Sequence, residues 1–247
     1  MYRFLVTPKW LALTLMCLLL LPAFKSLSDW QWRRLHQRQM YNSVIMKNEA
    51  SQPAQLSDVY GTSPTSLDPA QLWRSVNLTG TWDTTHQVLV RKKSFDSEVG
   101  FWVVTPFVSN QGTLLINRGW IAAANSAIDS PDVVAPPVGQ VEAVVRIRII
   151  SSQTFKHPSD MPRGQIDAID PQFTTPDPAV ITNGYGEIIA SRPESSTGLK
   201  LIPAPEVTEG PHRSYALQWI FFAIMTVIGW IILVRNEVAL RQSQLDV

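Results

Sequence analysis

Two long apolar stretches, one near each end of the chain, constrain its fold more than any other feature. The first runs from Trp10 to Phe24, between Lys9 and Lys25, and the second runs from Tyr215 to Val234 without a charged residue. A helix needs roughly 20 mainly apolar residues to cross the hydrocarbon core of a bilayer. The first stretch reaches that length if the stem of Lys9 lies along the core. The pattern therefore predicts two transmembrane helices.

The first stretch has an alternative explanation as a cleaved secretory signal, because it starts with basic residues. Residues 22–28 offer no clear small-x-small cleavage site, and bulky Met16 before Cys17 excludes a lipoprotein signal. These residues favour an uncleaved anchor over a signal peptide.

The second stretch could also be a buried helix of a soluble enzyme, although such a helix rarely runs this far without a charge. Tyr215, Trp219 and Trp230 lie near its ends, where aromatic rings favour the membrane interface. This arrangement favours a membrane span.

Composition excludes several functional classes. The chain carries 21 Lys and Arg against 20 Asp and Glu, a formal charge of +1, so no overall field attracts nucleic acid. Four scattered histidines and the single Cys17 do not form a zinc pattern or an internal disulfide. Phosphate-binding, dinucleotide-binding, serine-hydrolase and zinc-protease motifs are missing, and Asp167 and Asp170 fall in a Pro-bounded loop typical of solvated carboxylates. The sequence favours a binding or scaffolding protein.

The residues between the two stretches predict a strand-rich domain. A polar helix is expected over 29–49 and a loop over 50–70. Apolar residues then recur at a period of two, which predicts strands with polar, Pro-rich connections. The expected strands are 88–93, 101–105, 113–117, 141–150 with one mainly wetter face, 186–190 and 199–202, with a hairpin loop at 109–112. The predicted class is α+β, mainly antiparallel β, with a barrel-like or sandwich-like domain.

Four motifs follow one another along nearly the whole chain. The first is Trp30-Gln-Trp-Arg-Arg34, just after the first span, and the second combines Val76-Asn-Leu-Thr-Gly80 with Val88-Leu-Val-Arg91. The third joins Gly100-Phe-Trp-Val-Val-Thr-Pro106 to Gly112-Thr-Leu-Leu-Ile-Asn-Arg-Gly-Trp120, and the fourth is His212-Arg-Ser-Tyr-Ala-Leu-Gln-Trp219. In this order the motifs resemble those of the Surfeit locus protein 1 family of cytochrome c oxidase assembly factors.

The resemblance departs from the family pattern at two positions. This chain has Ser28 where the family often has glycine, and Gly210 where it often has asparagine. The Pro-rich stretch 157–165 is similar to the actinobacterial branch of the family.

The resemblance implies binding of haem a and its delivery to the oxidase. His212 would ligate the iron, since neutral imidazole is a good axial ligand, and Arg213 or Arg34 would pair with the propionates. Trp30, Gln31, Tyr215 and Trp219 would complete the pocket if the two helices pair. The implied partners are the catalytic subunit of the oxidase, the enzyme that makes haem a, and the lipid bilayer.

Plainer roles remain open for these residues. His212 could be an interfacial histidine that binds headgroups or caps the helix, and the residues after the first span could be an ordinary aromatic and basic belt. Asn117-Arg-Gly-Trp120 could be a turn at the end of a strand, with Gly119 supplying unusual backbone angles and Arg118 capping it or pairing with a carboxylate. Gly80, Gly100 and Pro106 belong to the motifs as structural residues.

Charges near the helix ends do not decide the topology, so its direction rests on the resemblance. We expect termini on the cytoplasmic side and the central domain outside the plasma membrane. The expected segments are a cytoplasmic N-terminus 1–9, spans 10–27 and 214–234, an extracytoplasmic domain 28–213 and a cytoplasmic tail 235–247.

These observations lead to three candidate functions, given with the leading one first. The first is a non-enzymatic assembly factor that inserts haem a into the oxidase. The second is a two-span scaffold that stabilises an oxidase subunit without a cofactor, and the third is a membrane-anchored enzyme, for which no catalytic set is visible.

Overall fold

A computed structural model of the chain describes residues 2–60, 67–124, 129–150 and 161–244. The chain forms two compact units, one of Met1–Asn42 with Val207–Val247 and one of Ser43–Glu206. Outside the described residues lie residue 1 of the predicted N-terminus, 61–66 of the predicted loop, 125–128 and 151–160 of the predicted domain, which include part of the Pro-rich stretch, and 245–247 of the predicted tail.

The first unit is built on two long helices from the two ends of the chain. Helix α1 spans Pro8–Glu49 and helix α4 spans His212–Ser243. At 1.5 Å per residue they are about 60 Å and about 50 Å long, so each exceeds the hydrocarbon thickness of a bilayer. Both are apolar enough to cross a membrane, and their apolar side chains are mostly exposed. This confirms the expected long apolar helices, while the limits of the spans within them stay a prediction.

The predicted polar helix 29–49 is confirmed, but it is not a separate element. Helix α1 continues through the expected boundary near Ser28 without a break. No Gly or Pro lies between Pro22 and Glu49, so nothing in the sequence ends the helix at that boundary.

The second unit is a β-barrel with additional short elements. Its elements are β1 Ala54–Gln55, α2 Leu56–Tyr60, β2 Ser75–Trp82, β3 Val88–Phe95, β4 Glu98–Ser109, β5 Gly112–Ala122, β6 Val141–Ile149, β7 Gln165–Ile166, α3 Pro171–Thr174 and β8 Gly184–Arg192.

Five strands close the barrel in the order β2-β6-β8-β5-β4, because β2 pairs with both β6 and β4. Within the barrel only β5 and β8 are parallel, and the other pairs are antiparallel. Counted among themselves the barrel strands run 1-2-3-5-4-1, the arrangement of the OB fold, a five-stranded Greek-key barrel. Strand β3 extends the sheet beyond β4, and β1 and β7 add short parallel pairs. The expected mainly antiparallel barrel is confirmed.

The core of the barrel follows from alternation along the strands. In β6, Val141, Ala143, Val145 and Ile147 are buried and face one cluster. The hairpin between β4 and β5 turns at the predicted place, since Ser109 pairs with Gly112 and the glycine has a φ of +118°. A period of two therefore locates both the strands and their inner face.

Two local predictions are wrong. Residues 199–202 form only a single bridge from Lys200 to Trp120, and the following Pro203 has no N–H to extend a ladder. The predicted loop 50–70 contains β1 and α2. The predicted mainly wetter face of 141–150 is the more exposed one, as at Glu142, but Arg146 on that face is only 6% exposed because it packs beside Glu187 of β8.

Candidate functional site

His212 is the first residue of α4 and is held by the facing helix. Its Nδ1 lies 2.8 Å from Oε1 of Gln31 on α1, and Gln31 is only 9% exposed. Gly210, two residues earlier, has a φ of +67°, which lets the chain turn into the helix. The structure therefore pairs two residues that the motifs selected separately, from opposite ends of the chain.

A small-residue contact one turn along α1 supports this pairing. The Ser28 hydroxyl donates a 3.1 Å hydrogen bond to the main-chain oxygen of Ala216, and both residues are buried. Further along, the rings of Phe24 and Trp219 stack with centroids 5.9 Å apart. Small side chains let helix backbones approach closely in membranes. The helices thus pair at the place where the predicted pocket requires it.

The segment before α4 is also tied to α1. The Asn42 amide donates to the main-chain oxygen of Thr208 at 3.1 Å, and the Gln39 amide donates to the Glu209 carboxylate at 2.8 Å. These bonds fix the approach of the chain to His212.

The other predicted pocket residues are more exposed. The Arg34 guanidinium lies 5.7 Å from the centroid of the Trp30 ring, and Trp30 is 44% exposed. Tyr215 is 47% exposed, and Arg213, two residues earlier, is also exposed. Within the described ranges neither Arg213 nor Tyr215 makes a side-chain hydrogen bond, so both side chains can reorient towards a ligand. The structure places His212, Gln31 and Trp219 at the contact between α1 and α4, which we call the helix seam. The remaining predicted pocket residues lie at the surface of this seam, namely Trp30, Arg34, Arg213 and Tyr215.

The donor set at this seam fits a haem group. Gln31 bonds to Nδ1 of His212, and Nε2 makes no hydrogen bond to any described residue, so one imidazole nitrogen remains for a metal. Arg34 and Arg213 supply cations for propionates, and Trp30 and Tyr215 offer exposed rings for an apolar macrocycle. Among the described residues, no group of three or more His, Cys, Asp or Glu is placed to hold a metal ion.

The Asn117–Trp120 motif lies inside β5 rather than at its end, because the strand continues to Ala122. Arg118 is fully buried and donates three hydrogen bonds, to the main-chain oxygens of Ser195 and Val134 and to Oε1 of Gln87. None of these partners is a carboxylate, so the alternative of a carboxylate pair is wrong. Burial lowers the pKa of Arg118 to about 10, which leaves it charged at neutral pH.

The glycines of the motifs are sites of close approach. A Cβ at Gly80 would lie 2.1 Å from the main-chain oxygen of Val108, and one at Gly100 would lie 2.1 Å from that of Ile121. Gly119 has a φ of +146° and faces the backbone of Lys200. These contacts explain the glycines by packing within the barrel.

Pro106 and Trp120 also fit the barrel. The Pro106 main-chain oxygen accepts a 2.9 Å bond from the Asp83 N–H, and the Trp120 ring is 2% exposed with its Nε1 donating to the Lys93 oxygen at 2.7 Å. Together with Arg118 they indicate a structural role for this motif.

Sequence reasoning missed a buried charge cluster in the barrel. Glu187 is 1% exposed and lies 3.2 Å from Arg148 and 3.6 Å from Arg146, which also approaches Glu49 at 3.8 Å. Burial raises the pKa of Glu187, and the two arginines offset part of that rise. The Trp73 ring lies under the Arg148 guanidinium at 3.7 Å. The alternating arginines of β6 were the available signal, but their partners come from distant segments.

The comparisons with known proteins agree on one family. A family model described as the SURF1 family matches residues 18–224. Relatives from Mycobacterium bovis and from two strains of Mycobacterium tuberculosis, each described as an uncharacterized SURF1-like protein, are 26% identical to this chain. The alignments cover 98% of this chain and 89% of each relative.

Proposed function

Because this chain belongs to the SURF1 family, whose members are linked to oxidase assembly, we propose that it binds haem a and assists its insertion into the catalytic subunit of a cytochrome c oxidase. The enzyme that makes haem a is the donor in this proposal and the catalytic subunit is the acceptor. Assembly factors of this family are generally non-enzymatic, and we assign no reaction to this chain.

The observation that supports the proposal most is the hydrogen bonding of the His212 ring. Its Nδ1 bonds to Gln31 at 2.8 Å, which leaves Nε2 to act as a ligand. A bound haem would supply an iron that an imidazole can ligate and two propionates that cations can bind. Arg34 and Arg213 would bind the propionates, while Trp30, Tyr215 and Trp219 would contact the macrocycle.

A direct test measures haem on the purified full-length protein. The chain is co-expressed with a haem a source and its absorption spectrum is recorded per mole of protein. We expect the His212→Ala variant to lose most of the bound haem. His36→Ala is a matched control, since His36 is an exposed histidine on α1 in the same unit. Equal haem content in wild type and His212→Ala would refute the ligand assignment.

The second candidate function, a scaffold without a cofactor, is favoured by the hydrogen bond of His212 itself. A Gln31 bond also satisfies an interfacial histidine that binds nothing else. Deleting the gene and recording oxidase spectra separates the cases when combined with the haem measurement. Loss of oxidase with no haem on the purified protein supports the scaffold, whereas normal oxidase content argues against both functions.

The topology is also part of the proposal. Two uncleaved spans within α1 and α4 would leave both termini in the cytoplasm and the barrel outside the plasma membrane. Single cysteines introduced at exposed barrel positions such as Ser94 or Thr197, in a Cys17→Ala background, test this in spheroplasts. We expect labelling by a membrane-impermeant maleimide before lysis. Labelling only after lysis would reverse the topology.

A further inference from the structure

Gln31 occupies an unusual position for a glutamine. It lies in the part of α1 that faces the start of α4, it is 9% exposed, and its amide oxygen is 2.8 Å from Nδ1 of His212. A buried amide is unfavourable unless it is hydrogen-bonded. The Ser28–Ala216 contact, one turn away, holds the two helices close enough for this bond to form.

The chemistry of the bond determines the tautomer of the histidine. The amide oxygen of Gln31 faces Nδ1, and because an amide oxygen only accepts hydrogen bonds, this contact is a hydrogen bond when Nδ1 of His212 carries the proton. In neutral imidazole the other nitrogen, Nε2, then has the free lone pair. A metal can bind only to that nitrogen.

Gly210 lies beside Nε2 and places no side chain there. A Cβ at residue 210 would lie 3.7 Å from Nε2 and 3.6 Å from Cδ2 of His212. Residue 210 thus adds no side chain on the Nε2 side of the ring, while Nδ1 is held by Gln31.

We infer that Gln31 is a positioning residue, which holds the His212 imidazole as its Nδ1–H tautomer and leaves Nε2 as the nitrogen that would ligate a haem iron. The inference rests on the proposed function and changes the expected role of Gln31, which the motif resemblance placed in direct contact with the cofactor. Partners of this kind orient a ligating histidine and increase its basicity, and their loss weakens metal binding by roughly 10- to 100-fold.

The first test needs no haem. Full-length protein labelled with ¹⁵N-histidine is reconstituted in nanodiscs, and the ring nitrogens are recorded about two pH units above the ordinary histidine pKa of about 6.5. The His212→Ala spectrum identifies the His212 signals. We expect the Nδ1–H tautomer in wild type and in Gln31→Glu, and a mixture in Gln31→Leu. A wild-type spectrum in Gln31→Leu would overturn the inference.

The second test titrates the same proteins with haem b. Gln31→Leu should raise the dissociation constant about 10-fold or more, whereas Gln31→Glu should restore binding and lower the midpoint potential of the bound haem, because a carboxylate makes the imidazole a stronger donor. Gln218→Leu, which changes an exposed glutamine of α4, should bind like wild type.

The outcomes separate the two proposals. If wild type binds no haem but its tautomer depends on Gln31, the haem function fails, and only the control of the His212 tautomer by Gln31 stands. If wild type binds haem through His212 and all Gln31 variants match it in affinity and potential, the positioning role fails and the haem function stands.

Discussion

The Nε atom of Arg118 donates a 2.7 Å hydrogen bond to the main-chain oxygen of Ser195, deep inside the barrel unit. The same guanidinium reaches Gln87 and Val134, each at 2.9 Å, so one side chain joins β5 to three segments distant in sequence. The three acceptors and the Trp82 ring, 5.8 Å away, replace the water that the cation loses on burial. The buried charge of Arg118 is therefore stabilised by hydrogen bonds from its planar, forked guanidinium to uncharged oxygens, rather than by a carboxylate.

Replacing Arg118 by lysine should separate charge from geometry. Arg118→Lys keeps the positive charge, but one ammonium cannot reach three acceptors that surround a planar fork. We expect the free energy of unfolding to fall by about 3 kcal/mol, from buried acceptors left unpaired. Chemical unfolding of the full chain in detergent, followed by tryptophan fluorescence, measures the change. Arg192→Lys, at an exposed arginine of β8, is the control, and equal losses in the two variants would contradict the role of the fork.

Gly100 should not tolerate a methyl group. A Cβ at this position would lie 2.1 Å from the Ile121 oxygen and 2.6 Å from ring atoms of Trp120, so β4 and β5 would have to separate. Overpacking of this kind costs about 3 kcal/mol when backbone atoms must move. The same unfolding assay should show that loss in Gly100→Ala and little change in Gly229→Ala, since a Cβ at Gly229 meets nothing within 4 Å. A stable Gly100→Ala variant would show that the two strands are not fixed at this distance.

The sequence located the strands better than it located their ends or partners. Alternation in β6 predicts which side chains point inwards, because the side-chain period of a strand is two. It does not predict that Arg146, on the other face, is also buried, since that depends on Glu49 and Glu187 from other segments. For the same reason 199–202 looked like a strand, although only Lys200 finds a partner there.

At the candidate site, too, the sequence shows which residues matter but not which distant residues they contact. The motifs selected His212 and Gln31, but their hydrogen bond joins residues 181 positions apart and follows only from helix pairing. The structure explains the two departures from the family pattern, Gly210 and Ser28. Gly210 has a φ of +67°, a region that glycine and asparagine both adopt readily. Ser28 is buried against Ala216, where only a small side chain fits.

Ser28 should accept glycine and reject a large residue. Ser28→Gly keeps the close approach to Ala216, whereas Ser28→Leu forces the helices apart and, one turn along α1, moves Gln31 away from His212. We expect haem content per protein to be retained in Ser28→Gly and lost in Ser28→Leu.

A cross-link reports on the helix pairing without haem. Native Cys17 and Val227 line the same small cleft of about 190 Å³ between the two helices. In a Val227→Cys background, oxidation in membranes should join the two helices. Adding Ser28→Gly should leave the yield unchanged, and adding Ser28→Leu should reduce it several-fold. An unchanged yield with leucine would mean that this contact does not set the helix spacing.

The barrel should become less stable as Glu187 ionises. Burial holds the pKa of Glu187 above its ordinary value of 4.5 in the folded state, and the nearby Arg148 and Arg146 offset only part of the rise. Between the unfolded and folded pKa values the folded state binds more protons than the unfolded state, so the free energy of unfolding falls as pH rises. The stabilising contribution is fully present below about 4.5 and is lost as pH passes through the raised pKa.

A neutral variant isolates this contribution. Glu187→Gln removes the titrating group, so the stability difference between Glu187→Gln and wild type should be smallest near pH 4.5 and grow in favour of the variant as pH rises towards neutrality. Unfolding midpoints of the full chain in detergent, measured across that range, test the sign. Glu206→Gln, at an exposed carboxylate in the same unit, should follow wild type in parallel. If Glu187→Gln instead loses stability relative to wild type as pH rises, the arginines outweigh burial, and the cluster stabilises the barrel as an ion pair.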